Sequence, residues 1–348
     1  MKNYASELLI DKVVIVGGGS LGQLHCAVVR EILPSAEICL ASSSGRTSPL
    51  ADVHVHNFEE MLEAQFYPQI GIICSSTDRH MDDAIALAKM GVHLLIEKPL
   101  CLDATRFEEL VKIRDEKKLT MCVGYNLRYV PSIRALKEMI QHRELGRLLH
   151  VKVDVGQYLP DWSPGVSYKE SIAASAHRGG GVLMELSHEI DYLQWIFGPM
   201  IVKHSSLYHK SDMDIDVEDL AIFELVFFDP RRGTPIPISV TMDFCRRSCH
   251  RTCTVFGDKG TAEWDGVNQV LHHYIAESRT SQMKVIQMDG VRNESYKRQF
   301  AAFLKSIRMG QTVGCSIEDG LSTVKLINTI RSASGFEPPN GLIDYFDS

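Results

Sequence analysis

Val13-Val14-Ile15-Val16-Gly17-Gly18-Gly19-Ser20-Leu21-Gly22 decides the fold. Four consecutive β-branched residues predict a buried strand, and the glycines behind it turn the chain into a helix predicted over Leu21–Ile32. In that context Gly17 permits a tight turn and Gly19 lets the backbone approach a pyrophosphate. Gly22 allows the helix to pack closely on the strand. N–H groups at the helix start, around Ser20 and Leu21, then meet the phosphate charge.

The pattern continues outward from this turn. Short apolar runs at Lys12–Val16, Glu37–Ala41, Ile70–Cys74, His93–Ile96 and Thr120–Val123 alternate with helical stretches at Asp78–Met90 and Asp103–Lys118. Asp103 is a candidate cap for its helix. Such alternation predicts βαβ units and a doubly wound parallel sheet, an α/β Rossmann domain over residues 1–124. After Tyr125 the rhythm changes. A helix is predicted at Pro131–Gln141, a strand at Leu148–Val155, a loop at Gln157–Gly180 and a single helix at Gly181–Phe197. Strands at Ala221–Phe228, Ile236–Phe244 and Thr252–Phe256 follow, then helices at Tyr296–Met309 and Ile317–Ser334. Strands in succession predict an α+β domain over residues 125–348, with a large, mostly antiparallel open sheet. The closing helices are candidates to pack back on the first domain.

The 348 residues, 45% of them hydrophobic and 23% charged, suit a globular chain of two domains. A net charge of -7 argues against nucleic acid as a partner. No apolar run is long enough for a membrane span, and the start of the chain lacks the blocks of a secretion signal, so a cytoplasmic location is expected. The nine cysteines are scattered, as expected of reduced thiols. Cys245, Cys249 and Cys253, with His250 between, would share one face of an extended strand. The lack of a CxxC pair favours a structural role over a metal site, and no metal is expected.

After the second strand, where an NAD site usually offers an acidic side chain, this chain reads Ala41-Ser42-Ser43-Ser44-Gly45-Arg46. Ser42, Ser43 and Arg46 suit a 2′-phosphate, so NAD(P) is expected with NADP slightly preferred. Ser75 and Ser76 lie where a loop covers the nicotinamide side. His80 either touches the cofactor or stabilises the helix start. At the mouth of the strand His93–Ile96, Glu97 and Lys98 face the same cleft ahead of Pro99, whose peptide bond with Lys98 is a candidate for cis. An ammonium there can stabilise alkoxide character on a substrate oxygen. Farther on, Gly179-Gly180-Gly181 opens the predicted helix on which Glu185, His188 and Asp191 repeat every three residues on one face. His188 has the pKa range to shuttle a proton. In the preceding loop Tyr158, Trp162 and Tyr168 can stack on a sugar, and Lys169 or Arg178 can hold a carboxylate or phosphate. The same loop can instead pack on its own domain or on a second subunit.

The glycine turn, Glu97-Lys98-Pro99, Gly124-Tyr125-Asn126-Leu127-Arg128 and the glycine-led helix together resemble the Gfo/Idh/MocA oxidoreductase family over nearly the whole chain. The resemblance implies hydride exchange between a nicotinamide cofactor and a sugar, nucleotide sugar or cyclitol. It also implies that Lys98 and His188 form the catalytic pair, with His188 as general base during oxidation. Tyr125, Arg128, Tyr158, Trp162, Arg178 and Asp191 are assigned to the substrate. The chain departs from the family pattern at Met184, four residues before His188, where an aspartate is usual; the acid here is Glu185. Gly156–Trp162 and His188–Asp191 resemble a branch found in bacterial polysaccharide and sialic-acid-like sugar pathways. Assembly into a homodimer or homotetramer through an apolar open sheet face is expected. The rival readings are a non-catalytic dinucleotide-binding sensor and a sugar–sugar oxidoreductase with tightly held cofactor.

Overall fold

A computed structural model describes residues 10–162, 165, 167–229, 233–275 and 293–336. The chain divides into two compact units, Met1–Asn126 with Val291–Leu321 and Leu127–Gly290 with Ser322–Ser348.

In the first unit the strands are β1 (Lys12–Val16), β2 (Glu37–Ala41), β3 (Val53–Val55), β4 (Ile70–Ile73), β5 (His93–Ile96) and β6 (Met121–Val123). They form one parallel sheet in the order β3-β2-β1-β4-β5-β6. The helices between them are α1 (Ser20–Ile32), α2 (Phe58–Glu63), α3 (Thr77–Lys89) and α4 (Phe107–Lys117). The strands are buried almost throughout, which is why they read as continuous apolar runs rather than alternating ones. Strand order reverses beside β1, so β1 and β4 flank the switch point where such sheets open a crevice. Phe300, Phe303 and Leu304, late in the sequence, complete the core around Val28, Val29 and Ile38. The helix expected from Asp103 begins at Phe107 instead. Asp103 is not its cap, because the carboxylate accepts the N–H of Thr105 and closes a turn of its own.

The second unit begins with α5 (Pro131–Gln141) and β7 (Leu148–Gly156), followed by α6 (Val182–Glu185) and α7 (His188–Phe197). Six more strands follow: β8 (Ile201–Tyr208), β9 (Leu220–Phe228), β10 (Pro235–Asp243), β11 (His250–Gly257), β12 (Gly260–Asp265) and β13 (Val270–Ile275). Two helices follow, α8 (Glu294–Met309), which belongs to the first unit, and α9 (Ile317–Ser334), whose residues from Ser322 belong to the second. The sheet order is β13-β12-β11-β7-β10-β9-β8, antiparallel except where β10 runs parallel to β7.

One face of this sheet is core. The register row Trp264–Cys253–Val153–Val240–Phe223 is buried throughout. The next row on the opposite face reads Glu263–Thr254–Lys152–Ser239–Glu224–His204. That row is polar from end to end, so the outward face is not the continuous apolar one expected. Apolar residues on the outward side gather at the β8 end, where Ile201, Val226 and Pro237 are paired in register and Phe228 and Pro235 pair beside them, while Ile222 stands between Ser206 and Thr241. Among the described residues no helix is long and apolar enough to cross a membrane.

Two further readings change. The predicted helix Gly181–Phe197 is two helices, α6 and α7, separated by Leu186 and Ser187. Cys245 and Cys249 lie in the loop between β10 and β11, with only Cys253 on a strand, so the three do not share a strand face. No group of metal-ligating side chains is found among the described residues.

Candidate active site

The residues expected to hold a dinucleotide converge on the carboxyl edge of the parallel sheet. β1, β2, β4 and β5 are in register at their ends, Val16 beside Ala41 and Ile73, and Ile73 beside Ile96. The segments that follow, at Gly17, Ser42, Cys74 and Glu97, therefore leave the sheet side by side. Gly17 takes φ +105°, and a Cβ there would lie 2.5 Å from the Cys74 carbonyl oxygen. A Cβ on Gly22 would overlap the Gly17 carbonyl, so the helix is seated directly on the turn. Gly19 differs: its added Cβ would meet only the Arg46 guanidinium, at 3.9 Å. Gly19 is also the N-cap of α1 and brings no side chain to cap it, and the first turn carries no acidic residue. Open space in front of uncapped N–H groups is what a pyrophosphate needs, and Ser20 and Leu21 stand at that start. The site fits a dinucleotide.

The loop after β2 lies against the same turn. A Cβ on Gly18 would come 2.6 Å from Ser42 Oγ and 2.7 Å from Arg46 Cβ. Ser42 is buried, with Oγ 3.2 Å from Ser44 Oγ, whereas Ser43 and Arg46 are exposed. After β4, Ser75 Oγ donates to Asp83 at 2.6 Å, and Ser76 is the N-cap of α3. His80 is buried between two carbonyls, with Nδ1 2.9 Å from Pro99 O and Nε2 3.0 Å from Ser75 O. It therefore ties the β4 loop to the Lys98–Pro99 turn. Burial holds its pKa below the usual histidine range, although both carbonyls, Glu97 and Asp83 favour the charged ring.

Lys98 is half-buried, and the Lys98–Pro99 peptide is cis. Glu97 is buried, and its Oε1 lies 2.8 Å from Nε2 of His25 on α1. Its Oε2 accepts the backbone N–H of Lys98 at 3.2 Å. Sequence reading missed His25. The signal was there: His25, three residues beyond Gly22 on the buried stripe of α1, is a polar ring where the helix otherwise buries Cys26, Val28 and Val29. Tyr125 is fully buried at the end of β6.

In the second unit His188 is half-buried and opens α7, while Glu185 closes α6. The two belong to different helices, so the expected three-residue stripe through Asp191 is not one helix face. Asp191 is instead gripped by Arg128, through Nε–H to Oδ2 at 2.9 Å and Nη2–H to Oδ1 at 2.7 Å. Both side chains are buried, which makes the pair an internal clamp rather than a surface offered to a sugar. Glu189, also buried, lies 2.8 Å from Arg251 Nε of β11. Two ion pairs thus fix the azimuth of α7 and with it His188. Glu218 caps α6 from outside, its carbonyl accepting Val182 N–H and its carboxylate accepting Leu183 N–H; Arg331 Nη2 holds that carboxylate at 2.9 Å.

The loop residues separate. Arg178 donates to the Glu170 carbonyl, and Lys169 pairs with Asp214 at 2.7 Å. Trp162 packs edge-on against Phe244 with its indole N–H on the Gln157 carbonyl. Tyr158 lines a cavity of about 300 Å³ with Tyr168, Asp212, Met213, Cys245 and Arg247. The Arg247 guanidinium sits 3.6 Å above the Tyr158 ring. Asp219 braces this wall by accepting Lys210 N–H, Ser211 N–H and Ser211 Oγ–H.

Comparison with known proteins defines the class. Residues 12–125 match the model of the oxidoreductase family NAD-binding Rossmann fold, and residues 137–335 match the C-terminal alpha/beta domain of the same family. The chain belongs to the Gfo/Idh/MocA oxidoreductase family. It is 23% identical to myo-inositol 2-dehydrogenase of Thermotoga maritima over 330 residues, covering 89% of this chain and 92% of that protein. In fold it is similar to levoglucosan dehydrogenase in complex with NADH, with a TM-score of 0.77 at 18% identity over 93% of this chain and 96% of that one. It is similar too to the WlbA dehydrogenase of Bordetella pertussis in complex with NADH and UDP-GlcNAcA, with a TM-score of 0.75 at 18% identity over 94% and 97% of the two chains.

Proposed function

We propose that this oxidoreductase moves hydride between a nicotinamide cofactor and a hydroxyl-bearing carbon of a sugar, nucleotide sugar or cyclitol. The observation that carries the reading is the carboxyl edge of the parallel sheet, where the glycine turn with its uncapped helix follows β1 and the half-buried Lys98 follows β5, on either side of β4. Gly17, Gly19, Ser20, Leu21 and Gly22 would hold the pyrophosphate, with Ser75 and Ser76 on the nicotinamide side. A bound nicotinamide dinucleotide supplies the hydride acceptor, and the side chains manage the oxygen and the proton. As the alcohol is oxidised, the C–H pair of electrons leaves the carbinol carbon as hydride. The Lys98 ammonium donates a hydrogen bond to the oxygen as negative charge grows on it. A ring nitrogen of His188 takes the hydroxyl proton. Glu185 is assigned to support His188.

The cofactor preference rests on the loop after β2. It carries three serines and an exposed arginine against the glycine turn and no carboxylate for a ribose 2′-hydroxyl, which supports acceptance of NADP beside NAD. For the substrate, a guanidinium stacked on a tyrosine beside a second tyrosine suits a ring that carries an acidic group, and a nucleotide sugar fits that chemistry.

The test is a screen of myo-inositol, free sugars and UDP-N-acetyl sugars by absorbance of the reduced cofactor, followed by Lys98→Ala and His188→Ala. Each substitution is expected to lower turnover by roughly 10²–10⁴-fold while NADH still binds. Undiminished turnover in either variant refutes the mechanism.

A further inference from the structure

Glu97 presents a problem that His25 answers. The residue is 3% exposed, and burying a carboxylate at such depth is costly without a partner. Gly124 leaves the space it occupies, since an added Cβ there would lie 2.8 Å from Glu97 Oε2. Of the two oxygens, Oε2 accepts the Lys98 backbone N–H and Oε1 faces His25 Nε2 at 2.8 Å.

His25 is fully buried, edge-on to the Tyr296 ring of α8 at 5.7 Å. Its Nδ1 has no hydrogen-bond partner among the described residues. An orphaned acceptor in a core costs less than an orphaned N–H, so the proton resides on Nε2 and is donated to Glu97. The ring therefore gives the buried carboxylate a hydrogen bond. The buried carboxylate lies one residue from Lys98, and the N–H of Lys98 is tied to it. A core-filling role for residue 25 would be met by an apolar side chain of similar size, which would leave the carboxylate without its donor.

We propose that His25 is a positioning residue for Lys98, acting through Glu97. The helix that faces the dinucleotide pyrophosphate thereby holds the carboxylate that orients the lysine turn. The link ties the cofactor end of the site to the group that meets the substrate oxygen. It rests on the reading of Lys98 as that group.

Competitive acetylation with acetic anhydride, read by mass spectrometry, reports the state of Lys98 without any substrate, with the exposed Lys112 as internal reference. His25→Leu removes the donor; His25→Gln keeps one, since its amide nitrogen reaches the place of Nε2. In His25→Leu, Lys98 labelling relative to Lys112 is expected to rise at least about threefold as the carboxylate loses its place beside the lysine turn. His25→Gln should stay near wild type, and both variants should bind NADH with affinity within about threefold of wild type. Unchanged labelling in a folded, NADH-binding His25→Leu overturns the proposal, as does an equal rise in both variants. Should His25→Leu not fold, Glu97→Gln removes the charge and keeps the shape; the same rise is expected, and its absence overturns the proposal. Failure of the hydride-transfer reading would show separately, as Lys98→Met retaining turnover.

Discussion

Arg128 holds Asp191 by two parallel hydrogen bonds, 2.9 and 2.7 Å long, with both side chains buried. The two residues are 63 positions apart, and the pair anchors the helix whose first residue is His188. Removing one partner strands the other as a buried charge, which typically costs about 3–5 kcal/mol. Asp191→Leu is therefore expected to lower the urea midpoint sharply, and Arg128→Leu equally so. The double variant should recover part of the loss. If either single change altered substrate KM and left stability untouched, the clamp would be a binding contact after all.

Gly19 and Gly22 belong to one motif but should fail in opposite ways. Alanine at Gly22 would overlap the Gly17 carbonyl, so this variant should lose more than about 2 kcal/mol or not fold. Alanine at Gly19 points into open space and should leave the melting temperature near wild type. NADH affinity in that variant should fall at least about tenfold, because the methyl stands where the backbone must approach a phosphate. Fluorescence titration beside a thermal melt separates the two.

Arg46 is the test of cofactor preference. Arg46→Ala should weaken NADPH by about tenfold or more and change NADH by less than about threefold, consistent with a charge-assisted contact to a 2′-phosphate. Equal loss for both cofactors would remove the residue from any discriminating role.

His80 and His93 make stability depend on pH. Burial is the largest influence on each and lowers both pKa values in the folded chain. Between those lowered values and the unfolded value of about 6.5, the unfolded chain binds more protons, so stability falls as pH falls. Unfolding free energy should thus be lower at about pH 5.5 than at about pH 7.5, by an amount that shrinks in His80→Asn. Asp83, raised chiefly by burial, acts in the opposite sense. A flat profile across that interval would contradict the assignment.

Much of the first unit was legible because its signals are local. A β-branched run ending in Gly17, Gly19 and Gly22 needs no distant information to be read as strand, turn and helix. The short strand Val53–Val55 and helix Phe58–Glu63 were not seen, since three residues carry too little periodicity. In the second unit the break between Glu185 and His188 escaped notice because tertiary partners set it. Glu218 caps the first helix, while Arg128 and Arg251 orient the second, and none of the three is near in sequence. The expected apolar sheet face holds at one end alone, around Ile201 and Phe228: strand alternation assigns residues to a face, whereas which of them stand side by side depends on register between strands. His25 lay in plain view, but its meaning depended on a carboxylate 72 residues away.

The return of α8 to the first unit has a consequence for biosynthesis. Val28, Val29 and Ile38 leave the ribosome long before Phe300, Phe303 and Leu304, which close the same core. The nascent Rossmann sheet must wait, its greasy flank uncovered, until roughly 260 further residues have been translated, about 13–50 s at ordinary elongation rates. Chaperone capture of ribosome-bound chains should accordingly persist until the codons of that helix have been read and its residues have cleared the exit tunnel.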